Sequence, residues 1–246
     1  MVRIFTDFDG TITRRDVGDS FFEHFGGAAS IEAVRKYLAG EISAVECFRR
    51  ECDACGAPEP REIDAFLDGE GVDSSFAEFI AFCNEQGLPC TIVSDGMDYY
   101  IRRILLHHNL DHVPSLSNTL RLIPRPDSTN VRMEPSFPYQ DEVCDRCASC
   151  KRNHILSQSA DDDVIVYIGE GYSDRCPARY ADVVFAKDAL AEYCRKENIS
   201  FFDYRRFSDI TRQLRGMIGA SPDGGNKGLK KRRRAELARK ELYLGG

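Results

Sequence analysis

With 246 residues and a formal net charge of −7, the chain is long enough to bury a sizeable core, as one large domain or as a core with a smaller insert. The acidic balance argues against a general nucleic-acid binder, and no apolar run approaches the roughly 20 residues that span a bilayer. A buried-type strand already begins at residue 2, leaving no room for a signal peptide, so a cytoplasmic protein whose ten cysteines are mostly reduced thiols is expected.

In chain order, Val2-Arg3-Ile4-Phe5-Thr6 is rich in β-branched and aromatic residues and reads as a strand, with Asp7-Phe8-Asp9-Gly10-Thr11 following at once. Two carboxylates therefore leave the carboxyl end of a strand together. Open α/β sheets bind ligands there, and the pair could share a divalent cation. A purely local Asx-type turn is the plainer alternative. The stretches 20–25, 31–38, 44–52, 61–67 and 74–86 carry apolar residues at helical spacing between Gly and Pro breaks. Without any strand-like alternation among them, 16–86 reads as a small helical insert, placed to act as a lid.

A second strand is expected at 88–93, ending in Ser94-Asp95-Gly96, and an amphipathic helix at 98–108 with Tyr99, Ile101, Ile104 and Leu105 inward. The stretches 120–123 and 130–137 suggest a hairpin around a Pro-rich bend with Asp127-Ser128. A cysteine run, Cys144, Cys147 and Cys150, leads to Lys151 and a helix near 153–158. Together with Cys176 its spacing is compatible with zinc thiolate ligation, a reduced or redox-sensitive loop being the alternative. A third strand at 164–168 ends in Gly169-Glu170-Gly171-Tyr172-Ser173-Asp174, followed by a strand at 183–185, a helix at 188–196, an edge strand at Phe201-Phe202 and a helix at 207–218. Alternating strands and helices imply an α/β fold, a parallel sheet with helices on both faces. Residues 220–246 read as a flexible linker and a basic tail whose charge run is solvated.

Three strands thus end in complementary polar groups: Asp7 and Asp9, then Ser94, then Glu170 and Asp174, with Lys151 just upstream of the third. Acids for a hard cation, a hydroxyl and an ammonium for anionic oxygens are what phosphoryl transfer requires.

These four segments, in this order over residues 1 to about 190, resemble the four motifs of the haloacid dehalogenase superfamily. The helical insert is similar to that of the phosphoserine-phosphatase-like subgroup. Ser94-Asp95-Gly96-Met97-Asp98-Tyr99-Tyr100, the cysteine-rich approach to Lys151 and Ser173-Asp174-Arg175-Cys176-Pro177 resemble the branch of methionine-salvage and phosphoethanolamine/phosphocholine phosphatases. The resemblance implies a Rossmann-like doubly wound core at 1–15 and 87–219 with a small α-helical cap at 16–86. It also implies a Mg²⁺-dependent phosphomonoesterase acting on a small phosphorylated metabolite, with no nucleic-acid or membrane partner and with homodimerisation left open.

In residue terms, the resemblance makes Asp7 the nucleophile of an aspartyl-phosphate route and Asp9 the acid that protonates the leaving oxygen. Ser94 and Lys151 would meet phosphate oxygens, with Thr11, Asp95 and Gly96 beside them. Asp7, the main-chain carbonyl of Asp9, Glu170 and Asp174 would supply the Mg²⁺ site. An acid at Asp9 fits an oxygen leaving group, which needs a proton; a halide does not. Asp16, nine residues past Asp7, is a candidate for substrate specificity or, equally, the N-cap of the following helix. One departure is Glu170, where these phosphatases usually carry Asp. The extra methylene alters metal geometry, so a weakened or inactive phosphate-binding module is the alternative function.

Overall fold

The computed structural model describes residues 1–126, 128–219 and Leu229. Asp127 of the expected bend and, Leu229 apart, the expected linker and tail lie outside the described residues.

The elements run β1 (Val2–Thr6), α1 (Val17–Leu38), α2 (Ala44–Ala54), α3 (Pro60–Asp68), α4 (Phe76–Glu85), β2 (Cys90–Met97), α5 (Asp98–His107), β3 (Ser115–Pro124), β4 (Val131–Ser136), α6 (Lys151–Ser157), β5 (Val164–Gly169), α7 (Arg175–Tyr180), β6 (Val183–Ala186), α8 (Asp188–Lys196), β7 (Phe202–Asp203) and α9 (Phe207–Gly219). The sheet has seven strands in the order β4-β3-β2-β1-β5-β6-β7. Strands β1, β2, β5, β6 and β7 pair in parallel, and β3 with β4 is antiparallel. This is the expected α/β sheet of Rossmann-like type. Strands β5 and β6 are near-continuous apolar runs because a parallel strand is covered on both faces. Pro135 is tolerated in β4 because that strand is an edge of the sheet.

By contacts the chain forms two compact units. Among the described residues the first comprises 1–7, 73–93, 151–219 and Leu229, holding β1, the start of β2, β5 to β7, α4 and α6 to α9. Its register sets Ile4 beside Cys90 on one flank and Val166 on the other. Helix α4 belongs here: Phe207 of α9 meets Phe76 and Phe79 with ring centroids 4.7 and 5.0 Å apart. The Phe207 and Ser208 amides also donate to Asp73 and Ser75 at 3.2 and 2.9 Å.

The second unit comprises 8–72 and 94–150, holding α1 to α3, α5, the end of β2 and the β3–β4 hairpin. The helices expected at 20–25 and 31–38 form one element kinked at Gly27 (φ 56°, ψ −140°), a conformation that glycine adopts without Cβ strain. Phe21, Phe25 and Phe66 cluster at centroid distances of 5.0 to 5.9 Å. Tyr99 is half-buried and donates to Asp64 of α3 at 2.7 Å, and Tyr100 is the fully buried partner of Ile101, Ile104 and Leu105. In these units α4 groups with α9, and the hairpin groups with α1 to α3. Strand β2 runs on to Met97, so Ser94-Asp95-Gly96 lie within the strand rather than just past its end. Helix α7 has six residues, too few to show a periodicity in sequence.

Candidate active site

In the first unit the polar ends of β1 and β5 meet α6. Parallel pairing sets Thr6 opposite Ile168, so Asp7 and the Gly169-Glu170 turn leave neighbouring strands at matching ends. Lys151, at the start of α6 and 2% exposed, reaches into this corner. Its Nζ lies 2.7 Å from Asp7 Oδ1 and 2.8 Å from Asp174 Oδ1, and donates to Ser173 Oγ at 2.7 Å. Burial alone would strip the proton from this ammonium, but the carboxylates of Asp174 and Asp7 outweigh it and raise the pKa above that of free lysine. Burial likewise disfavours the Asp174 carboxylate, and the Lys151 charge and its hydrogen bonds reverse this, lowering its pKa.

The Asp174 carboxylate is fully occupied by protein donors. Oδ1 accepts from Lys151 and, at 2.5 Å, from the Tyr167 hydroxyl; Oδ2 accepts from the Glu170 and Gly171 amides at 2.8 and 2.9 Å. A Cβ at position 169 would sit 2.5 Å from that Oδ2, so glycine there lets the strand end close over the carboxylate. Asp174 thus acts as a strut that shapes the Glu170 turn and holds Lys151. The Glu170 amide is tied by it, which fixes where the Glu170 side chain departs.

In the second unit the chain after Asp7 wraps at once: the Thr11, Ile12 and Thr13 amides all donate to the Phe8 carbonyl at 3.2, 2.9 and 3.1 Å. Gly10 sits at φ 65°, a left-handed conformation that suits glycine. The half-buried Asp9 carboxylate is held on both oxygens. Oδ1 accepts from the Gly18 amide at 3.2 Å, and Oδ2 accepts from the Ser94 and Tyr100 hydroxyls at 3.3 and 3.2 Å. The Gly96 amide donates to Ser94 Oγ at 2.9 Å. Asp9, Ser94 and Gly96 are therefore brought together, as are Asp7, Lys151 and Asp174 in the first unit.

Other candidates stand apart in role. Asp95 braces a loop, its carboxylate accepting from the Ser149 amide at 2.7 Å and its carbonyl from Asn118 at 2.6 Å. Asp16 caps α1, accepting from the Asp19 amide at 2.8 Å. Thr11 is 2% exposed and its Oγ1 has no hydrogen-bond partner among the described residues. Tyr100, Tyr167 and Ser173 were not among the expected site residues. For the two tyrosines the sequence signal is a phenol inside an apolar strand or helix face, since a buried hydroxyl needs a partner; Ser173 carries no such signal.

Among the described residues no group of three or more His, Cys, Asp or Glu side chains is gathered to hold a metal. The cysteines at 144, 147 and 150 do not form such a set, and neither do the four acids at 7, 9, 170 and 174. A structural zinc cage, which needs four closed ligands, is not matched. Mg²⁺ has another requirement: it keeps several waters and is held by one or two carboxylates plus substrate oxygens. Asp7 and Glu170, on matching ends of paired strands, meet that donor chemistry.

The haloacid dehalogenase-like hydrolase model matches residues 4–179. The 2-hydroxy-3-keto-5-methylthiopentenyl-1-phosphate phosphatase of Bacillus cytotoxicus is 30% identical over 88% of this chain and 97% of its own length. That of Bacillus cereus is 28% identical over 89% and 98%. Among solved structures, a phospho-aspartyl intermediate analogue of phosphoserine phosphatase superposes with a TM-score of 0.64 at 17% identity, covering 86% of this chain and 98% of that one. The HAD family hydrolase t0658 of Salmonella enterica serovar Typhi gives 0.67 at 16% identity, covering 89% and 71%. No helix among the described residues is long and apolar enough to cross a membrane. On this match, and with relatives that are phosphatases along nearly their whole length, the chain belongs to the haloacid dehalogenase-like hydrolase family and is one of its phosphatases.

Proposed function

We propose that this phosphatase hydrolyses a small organic phosphate monoester through an aspartyl-phosphate on Asp7. The supporting observation is the buried Lys151 ammonium 2.7 Å from Asp7 Oδ1. A carboxylate attacking an anionic phosphate works against charge repulsion, and a fixed ammonium that touches the nucleophile offsets it. In the first step a carboxylate oxygen of Asp7 forms a bond to phosphorus as the bond to the leaving oxygen breaks. Asp9 gives that oxygen its proton. In the second step Asp9 takes a proton from water, the water oxygen bonds to phosphorus, and the bond to Asp7 breaks. Ser94, whose hydroxyl already donates to Asp9, turns to a phosphate oxygen, and the Gly96 amide keeps Ser94 Oγ in place. Asp174 positions Lys151 and the Glu170 turn.

Mg²⁺ would be held by Asp7, Glu170 and the Asp9 carbonyl, and when bound it supplies neutralisation of phosphate charge. Glu170, longer than the usual Asp by one methylene, would supply the carboxylate from the end of β5, and metal preference is a property to measure. Asp16 contributes by capping α1, which fixes the Gly18 amide that holds Asp9.

The test is hydrolysis of p-nitrophenyl phosphate with and without Mg²⁺, in wild type and Asp7→Asn, followed by the methylthiopentenyl phosphate of the relatives and by phosphoserine and phosphoethanolamine. Metal-dependent turnover lost in Asp7→Asn supports the reading. Equal rates in both proteins would leave a phosphate-binding module in its place.

A further inference from the structure

Asp9 is held by more than the four motifs supply. The Tyr100 hydroxyl donates to its Oδ2 at 3.2 Å, and the tyrosine is 1% exposed. The ring is flanked by Phe8 and Phe21, with centroids 6.5 and 6.2 Å away. The backbone is thinned where the hydroxyl arrives: a Cβ at Gly96 would lie 1.8 Å from the phenolic oxygen, and one at Gly18 3.1 Å. Packing alone would be served by phenylalanine at 100. Two glycines facing the oxygen and an anionic acceptor at its end are features that only the hydroxyl uses. Burial and the neighbouring Asp9 charge push the phenol well above its ordinary pKa of 10, so it remains a donor.

We propose that Tyr100 is a positioning residue for the leaving-group proton: with the Gly18 amide on Oδ1 and the Tyr100 hydroxyl on Oδ2, the plane of the Asp9 carboxyl is fixed. Ser94 cannot do this alone, because its hydroxyl is also required by phosphate. Tyr100 neither gains nor loses a proton; the proton moves from Asp9 to the departing oxygen as the phosphorus–oxygen bond breaks. The proposal rests on Asp9 being the acid.

The test compares two leaving groups. An alkyl phosphate such as glycerol 2-phosphate needs protonation as it leaves, whereas nitrophenolate does not, and kcat/KM reports the step in which the leaving group departs. General acid catalysis contributes about 10²–10⁴-fold. Tyr100→Phe, which keeps the ring, is therefore expected to lower kcat/KM for the alkyl ester roughly 10- to 100-fold and that for p-nitrophenyl phosphate by less than about 3-fold. Asp9→Asn should show the same bias more strongly. Equal losses on both substrates, or no loss on either, overturn the proposal. A bias in Asp9→Asn without one in Tyr100→Phe refutes the tyrosine's role alone, and no bias in either refutes the reading of Asp9 as well. Gly18→Ala presses on the same hydroxyl without cutting the ring; if Tyr100→Phe does not fold, absence of the bias there overturns the proposal, and its presence supports it.

Discussion

Glu51 lies on α2, 4% exposed, in the second unit. Oε1 accepts from Ser30 Oγ at 3.3 Å and Oε2 faces Cys47 Sγ at 3.8 Å. Among the described residues no cation pairs with it, and the nearby charges are those of Asp19 and Asp16. Burial first, then the Asp19 charge, push its pKa from the ordinary 4.5 to about 8. The sign follows: an acid whose folded pKa is raised is protonated in the fold at neutral pH. Its contribution is complete below the unfolded value and is lost as pH climbs through about 8. At about 1.4 kcal/mol per pH decade the rise sets a ceiling of roughly 5 kcal/mol, and relaxation with water entry brings a realistic loss to roughly 2–4 kcal/mol. The loss runs from the ordinary value of 4.5 up to about 8, the span over which the unfolded chain ionises this carboxyl and the fold does not. Urea denaturation at a series of pH values from about 5 to 9 should therefore show wild type losing stability as pH rises. Glu51→Gln should flatten that loss and be the more stable protein near the alkaline end. A glutamine variant less stable by a constant amount across the whole range would mean that Glu51 is ionised in the fold.

Lys151→Met strands two buried carboxylates, 4% and 0% exposed, with no ammonium between them. Removing one partner of a buried ion pair costs roughly 3–5 kcal/mol, read as a midpoint shift in denaturant, and a change below about 1 kcal/mol would show the cluster to be well hydrated. Gly169→Ala drives a Cβ to within 2.5 Å of Asp174 Oδ2 and should destabilise by about 1–3 kcal/mol in the same assay. Gly96→Ala places a Cβ 2.7 Å from Asp9 Oδ2 as well as against Tyr100. Since a displacement of about 1 Å can cost roughly 10²-fold in rate, kcat should fall on that order while circular dichroism stays that of wild type.

How much of this was legible in the sequence depends on what each residue needs from its surroundings. Strand β1 and the acids after it were readable because a short apolar run followed by Asp-Phe-Asp-Gly leaves few other structures open. Periodicity also marked α4 as a helix with a buried face. It could not say that the face meets Phe207, because a spacing of 3.6 residues is the same whichever neighbour covers it. The same limit misplaced Tyr99: a one-residue turn of α5 exchanges it with Tyr100, and both tyrosines are compatible with an amphipathic pattern.

Asp174 illustrates a deeper limit. A carboxylate that binds a cation and one that accepts four hydrogen bonds have the same letter at the same strand end, and only the direction of the Glu170 and Gly171 amides distinguishes them. One sequence mark does carry over. Tyr167 sits in the middle of the apolar run Val164–Gly169 and is fully buried. Burying an unpaired hydroxyl costs about 1–3 kcal/mol, so a tyrosine kept where phenylalanine would pack equally well implies an acceptor at its end. For Tyr167 that acceptor is Asp174, and for Tyr100 it is Asp9. Both buried phenols therefore end on carboxylates of the proposed chemistry. That pattern would be removed, one residue at a time, by Tyr→Phe substitutions that leave the apolar core intact.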